Sequence, residues 1–208
     1  FGRNGWVIHP TLGSTISLGV LLTSLDLIPD EPMKPRCGSC RLCVQACPGG
    51  ALARAESFDA SRCVSYLTIE HRQALDPSLC SAMGAWVFGC DSCQLVCPWN
   101  RRATPGRDPA PEAIAPGMSL TEVLGWDEQA CRVATAGRAL ARATPGMWRR
   151  NAAIALGATA AAVPTTLRRA AEDADPMVAA AATWAIHRIE QRRRQADAST
   201  GGDRKSVV

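Results

Sequence analysis

The sequence predicts an α+β chain that is mostly helical, and three observations predict it. Nine of the ten cysteines lie between Cys37 and Cys97, in runs so short that only loops and brief helices fit between them. From Ser119 onward the chain turns Ala-rich, with apolar residues at helical spacing. Between these parts, residues 104–117 hold Pro105, Pro109, Pro111, Pro116, Gly106 and Gly117, the composition of a linker. The 208 residues are 47% hydrophobic and 20% charged with a net charge of +4, which excludes a wholly disordered chain. No uninterrupted apolar run approaches the roughly 18 residues of a membrane span, so a membrane partner is not expected. The chain opens on Phe1 and its earliest methionine is Met33, so it reads as a fragment of a longer protein; no signal-peptide pattern is visible.

Taken in order, residues 1–33 read as the end of a preceding domain. Trp6 to Pro10 has a short extended pattern, and Ile16 to Leu22 reads as a buried apolar run punctuated by Gly13 and Gly19. The proline-rich stretch Pro29 to Pro35 follows, and residues 34–103 form the cysteine module. Residues 104–132 hold the linker and a first helix, with Ser119 as N-cap and Glu122 three residues on. Residues 133–195 then form a helical domain. Its Trp148 to Gly157, Thr165 to Ala171 and Met177 to Ile189 segments, with Asp173 and Asp175 ahead of Pro176, resemble a HEAT-like repeat. An ordinary helical hairpin is the plainer alternative. Residues 196–208 read as a disordered polar tail.

Spacing decides what the cysteines do. Cys37, Cys40, Cys43 and Cys47 follow C-x2-C-x2-C-x3-C and are followed by Pro48. That is the bacterial-ferredoxin signature for a [4Fe–4S] cluster, in which the fourth cysteine ligates the other cluster when two are present. Zinc, the main rival, uses two cysteine pairs and does not call for a fourth cysteine followed by proline. Cys90, Cys93 and Cys97, followed by Pro98, repeat the last three positions. Crossed ligation then gives one cluster to Cys37, Cys40, Cys43 and Cys97. The second takes Cys47, Cys90, Cys93 and either Cys63 or Cys80. Cys63 is chosen because it precedes a helix-compatible stretch, Val64 to Ile69. Cys80 and Cys131 read as small apolar core residues. A double [4Fe–4S] ferredoxin-like module of this kind needs reducing surroundings, hence a cytoplasmic location.

Charge is uneven, with +6 over residues 138–194 and −2 over the rest. Arginine rather than lysine supplies it, which suits bidentate phosphate contact and makes the helical region a candidate nucleic-acid surface.

The strings R-C-V-S-Y-L-T-I-E (Arg62 to Glu70) and F-G-C-D-S-C-Q-L-V-C-P-W-N (Phe88 to Asn100) resemble the epoxyqueuosine reductases, as do G-W-V-I-H-P-T-L-G-S (Gly5 to Ser14) and the helical end. The resemblance implies a cobalamin-binding reductase domain, of which residues 1–33 would be the C-terminal remnant, then the double-cluster module and the HEAT-like domain. It implies reduction of epoxyqueuosine to queuosine at the wobble position of tRNA, the clusters passing electrons to cobalamin. The family's proton-donating aspartate has no match here and is expected upstream of Phe1, so this chain alone is expected to be inactive. Cys63 matches the family's lone cluster ligand. Ser65, Cys90 and Asp91 match positions facing cobalamin, with Arg3 and Ser14 at its border. Arg72 resembles a tRNA-contacting position, and Arg149, Arg150, Arg168 and Arg169 are candidates for holding tRNA phosphates. His9 reads as a hydrogen-bonded structural residue rather than a cobalt ligand, and Trp99 as packing on a cluster. The expected partners are tRNA carrying epoxyqueuosine and an unidentified electron donor, with the protein a monomer.

Two other readings stand beside this one. A reductive dehalogenase-like enzyme also couples cobalamin to two [4Fe–4S] clusters, but it does not call for a basic helical C-terminus. A ferredoxin-type electron carrier with a helical appendage would bind no cobalamin.

Overall fold

A computed structural model describes residues 1–53, 58–104, 106 and 119–201. Among them the regular elements are α1 (Leu42–Ala46), α2 (Val64–Ile69), α3 (Pro77–Met83), α4 (Ser92–Leu95), α5 (Pro98–Arg101), α6 (Leu120–Leu124), α7 (Glu128–Thr135), α8 (Pro145–Thr159), α9 (Thr165–Ala170) and α10 (Pro176–Gly201). Two short 3-10 turns, Ala60–Arg62 and Ala139–Arg142, complete them. The β component of the expected α+β class is absent among the described residues. The extended pattern at Trp6 to Pro10 yields a single antiparallel bridge between His9 and Gly13, closed as a tight turn with no partner strand beside it.

The chain divides into two compact units, Phe1–Ala60 with Asp91–Pro111, and Ser61–Cys90 with Glu112–Val208. This division cuts through the expected 34–103 module. Most of the linker expected at 104–117 lies outside the described residues, as do 202–208.

In the first unit, residues 2–14 form a sequence of turns that braces the second cysteine run. Asn4 Nδ2 donates to the Cys93 carbonyl at 3.5 Å. Thr104 N–H donates to the Thr11 carbonyl at 2.9 Å. Gly13 has a φ of +73°, and a Cβ there would stand 2.3 Å from Asn100 Oδ1, so only glycine fits this turn. The Ile16 to Leu22 run is not buried as its composition suggests. Val20, Leu21 and Leu22 are 90%, 88% and 90% exposed, because no described element covers them.

The second unit is organised around α8, whose residues Met147 to Gly157 are buried on almost every side. It packs against α10 through Ala152, Ala153 and Ile154 on one helix and Val178, Ala182, Ala185 and Ile189 on the other. Gly157 sets the closeness of that approach, since a Cβ there would lie 2.9 Å from the Ala185 Cα. Val64, Leu67 and Met83 of α2 and α3 join the same core. The helix ends carry the chemistry their sequences predict. Ser119 and Glu122 form a reciprocal capping box on α6, and the Asp127 carboxylate accepts from the Ala130 N–H at 2.7 Å. Thr144 and Pro145 start α8, and the Arg192 guanidinium closes its far end by donating to the Ala158 and Ala160 carbonyls. α10 continues through Gly201, past residue 195 where the tail is expected to begin. Ala196, Asp197 and Ala198 add no helix breaker.

Candidate metal centre

The first cysteine run folds as a turn leading into a helix. The Cys40 N–H donates to the Cys37 carbonyl at 3.0 Å, and Gly38 between them takes the left-handed conformation, φ +52°. Arg3 reaches in from the N-terminal turns and donates to the Gly38 carbonyl at 2.9 Å, which holds this loop in place. Cys43 sits on α1 and Cys47 just past its end. The second run ends with Cys97 as the N-cap of α5, where Pro98 supplies a φ already set for the first helical position.

Cys37, Cys40, Cys43 and Cys97 line one cavity of about 220 Å³, together with Arg3, Arg36 and Trp99. These are the four cysteines that crossed ligation would group in one set, drawn from two distant stretches of sequence. Burial pushes the Cys43 thiol up, and the neighbouring Cys37 and Cys40 add to the rise, while a backbone hydrogen bond at Val44 pulls it down. Binding soft metal converts such thiols to thiolates. Arg3 and Arg36 stand where the resulting negative charge would lie. Among the described residues no three His, Cys, Asp or Glu side chains gather closely enough to hold a single metal ion, and four cysteines spread around one cavity suit instead a cluster in which each iron takes its own thiolate.

The remaining thiols belong to different units: Cys47 and Cys93 to the first, Cys63 and Cys90 to the second. Cys63 is the N-cap of α2, and the Leu67 N–H donates to its carbonyl at 2.9 Å. Cys90 follows Gly89, whose N–H donates to Thr68 Oγ1 at 3.0 Å. Cys80 is buried in α3 and its thiol is pushed up to about 11 by burial, against the pull of Arg150. Cys131 is buried on α7, and burial raises its thiol too. Both sit in the apolar core of the second unit.

The residues expected at cobalamin separate. Ser65 is half-buried on α2, where its carbonyl accepts from the Thr68 hydroxyl at 3.1 Å. Asp91 is exposed, accepts from Gln94 Nε2 at 3.2 Å, and lines a cavity of about 320 Å³ with Gln94, Asn100 and Arg101. Ser14 does not border an open surface. It is 1% exposed, and its hydroxyl and N–H are engaged by Gln94 and Asn100, so it braces the second cysteine run. Arg3 serves the Gly38 loop. His9 Nδ1 accepts from the backbone N–H groups of Thr11 and Leu12, both at 3.2 Å, and so staples its own turn.

The arginines separate as well. Arg168 and Arg169 are exposed on α9, and Arg72 is exposed with its guanidinium near Met147 Sδ. Arg149 pairs with Asp173. Arg150 is not a phosphate ligand. It is fully buried, and its guanidinium donates to the carbonyls of Leu67, His71 and Gln73 at 2.5, 2.6 and 3.0 Å. The reason lies in helix phase, for Met147, Arg150, Asn151 and Ile154 share the face of α8 that is turned inward. Sequence reasoning passed over Thr68, Asn151, Asn4 and Asn100. The helical spacing of Asn151 among apolar residues was the one available signal.

Comparison with known proteins places these features. Residues 36–100 match the family described as 4Fe-4S double cluster binding domain. An epoxyqueuosine reductase of Alicycliphilus denitrificans is 37% identical over 196 residues, which cover 89% of this chain and 54% of the relative. One from Escherichia coli is 39% identical over 158 residues, 75% of this chain and 42% of that protein. Among solved structures, epoxyqueuosine reductase from Streptococcus thermophilus superposes with a TM-score of 0.78 at 30% identity, over 91% of this chain and 51% of that one. A crystal structure of epoxyqueuosine reductase with an epoxyqueuosine-modified tRNA-Tyr stem loop gives 0.77 at 30% identity, over 90% and 51%. The chain thus spans about half the length of the curated relatives it matches. By sequence and by fold alike, it is a relative of the epoxyqueuosine reductases.

Proposed function

We propose that this chain is the electron-delivering, tRNA-binding part of an enzyme that reduces epoxyqueuosine to queuosine at the wobble position of tRNA. The observation that carries the reading is the cavity walled by Cys37, Cys40, Cys43 and Cys97, within a stretch that matches the double-cluster family. When bound, a [4Fe–4S] cluster supplies single electrons at low potential. The chain's own residues do the rest: Arg3 fixes the Gly38 loop, Arg36 offsets thiolate charge, and Trp99 closes the cavity wall. The second ligand set in this reading is Cys47, Cys63, Cys90 and Cys93.

Cobalamin enters the proposal through the family resemblance. The residues present fit only an edge of so large a cofactor. Ser65 and Asp91 remain candidates for that edge, whereas Ser14 and Arg3 are committed elsewhere. We therefore assign most of the cofactor pocket, and the proton donor, to polypeptide outside this chain. The exposed apolar residues from Leu18 to Ile28 support that reading, because they are what a segment deprived of its packing partner displays. Arg72, Arg168 and Arg169 are the proposed tRNA contacts, with Arg149 available once its pair with Asp173 opens. A loop nucleotide unstacks at low cost, which favours an anticodon loop as substrate. No helix among the described residues is long and apolar enough to cross a membrane. Reducing surroundings suit thiolate-bound clusters, so a cytoplasmic location is part of the proposal.

Nucleoside mass spectrometry of tRNA from a strain lacking the gene tests the function. The expected result is epoxyqueuosine in place of queuosine. Normal queuosine, with no second reductase in the strain, refutes it.

A further inference from the structure

The second unit contains a buried polar network for which neither the core nor tRNA binding accounts. Asn151 is fully buried on α8, and its side-chain amide gives both hydrogens away: to the Thr68 carbonyl at 2.9 Å and to the Val87 carbonyl at 2.8 Å. Its Oδ1 accepts from Arg150 Nε at 3.0 Å. A guanidinium has donors only, so this contact fixes which way the amide faces. Thr68, also fully buried, uses its hydroxyl both as donor, shared with the Ser65 carbonyl at 3.1 Å, and as acceptor. It donates to the Val64 carbonyl at 2.9 Å and accepts the Gly89 N–H at 3.0 Å. Between the two anchored positions, Phe88 stacks on Trp148 with centroids 5.2 Å apart and planes 9° from parallel.

These contacts converge on two short segments. One is α2, which begins immediately after Cys63. The other is the Val87–Phe88–Gly89 corner, which ends immediately before Cys90 and turns through Gly89 at φ +72°. Burying this many polar groups adds little net stability over an apolar core, but a fully satisfied network specifies one geometry.

We infer that Thr68 and Asn151 are positioning residues for the second cluster, fixing the corner that carries Cys90 against the helix that Cys63 caps so that both thiolates are presented in one arrangement. The inference rests on the assignment of Cys63 and Cys90 to that cluster.

Thr68→Val tests it, because the change removes the hydroxyl at nearly constant volume. The full 208-residue chain and its variants are reconstituted anaerobically with iron and sulfide. Metal and sulfide content, the electron paramagnetic resonance spectrum after reduction, and far-UV circular dichroism are measured on each. Cys63→Ala supplies the spectrum of the first cluster alone. Thr68→Val and Asn151→Ala are expected to remain helical, to lose up to about half of the iron, and to shift toward the Cys63→Ala spectrum. Thr68→Ser should restore the wild-type signal. Full iron with an unchanged spectrum in both folded variants overturns the inference. Loss of the helical signal together with both clusters also overturns it, since that would make the role merely structural. If Cys63→Ala itself keeps both clusters, the ligand assignment has failed and this inference falls with it.

Discussion

Arg150→Met removes the donor that holds the most backbone in the second unit. Three carbonyls and the Asn151 side chain lose their partner at once. The bond to the Leu67 carbonyl is buried, and an unmet buried acceptor costs about 1–3 kcal/mol. Those to His71 and Gln73 lie partly open to water and each costs roughly 0.5–1.5 kcal/mol. Losing the contact to Asn151 adds a similar amount. Against this stands relief from burying a guanidinium that has no ion-pair partner among the described residues. Burial pulls that guanidinium down to about 10, with Cys80 and Asp175 acting the other way, so it stays charged at neutral pH. Methionine also refills most of the stem volume. The acceptor losses win, leaving a net destabilisation of about 2–3 kcal/mol. For a chain of this size that is a fall in Tm of roughly 5–10 °C, measured by circular dichroism under anaerobic conditions. Arg150→Lys should do no better than methionine, because a compact ammonium keeps the charge but cannot span three carbonyls. A melting temperature within about 2 °C of wild type for Arg150→Met would mean those carbonyls find other donors and refute the reasoning.

Gly157→Ala gains helix propensity worth about 1 kcal/mol but drives a Cβ into the Ala185 Cα at 2.9 Å, so the sum is a loss of about 1–2 kcal/mol in a denaturant titration. Cys80→Ala should retain the iron of both clusters, whereas Cys63→Ala loses about half. With its folded value raised to about 11 from 9.0, the Cys80 thiol contributes stability fully below pH 9. That contribution, of order 2 kcal/mol, is lost as pH rises toward 11, so the Cys80→Ala protein should show a weaker decline across that window. Arg168→Ala combined with Arg169→Ala should weaken binding of an anticodon stem loop and lower the salt slope by about 1–2, without moving the melting temperature.

The cysteine module was legible because its information is local. Ligand spacing of three or four residues dictates a turn and one helical turn between thiols, and the cavity shared by Cys37, Cys40, Cys43 and Cys97 follows from that plus one return of the chain. The Ser119 and Glu122 capping box was legible for the same reason. Reading the 138–194 arginines as one basic surface went wrong at Arg150. A charge count ignores helix phase, and Arg150 shares its face with Met147 and Ile154. Ile16 to Leu22 was misread in the opposite direction, because apolar composition reports what a segment would bury, not whether a partner is there to bury it. The extended pattern at Trp6 to Pro10 leads only to an isolated bridge on similar grounds, since extended residues become a sheet only with a neighbour to take their hydrogen bonds.

What none of these local signals disclosed is that a C-terminal helix, α8, holds the backbone of the segment that runs from Cys63 to Cys90. The linear reading assigned Cys63 and Cys90 to a self-contained cysteine module and the helices to tRNA. In the folded chain both cysteines fall within the unit organised around α8, because Ser61–Cys90 is too short to form its own core and buries Val64, Leu67, Cys80 and Met83 against that of α8. Its backbone carbonyls at Leu67, Thr68, His71, Gln73 and Val87 need donors, and Arg150 and Asn151 of α8 are the donors they find. On the inference drawn above, a substitution on the inward face of α8 is expected to act on cluster chemistry before it acts on RNA. One on the exposed face of α9 does the reverse, and measuring iron content beside tRNA affinity separates the two.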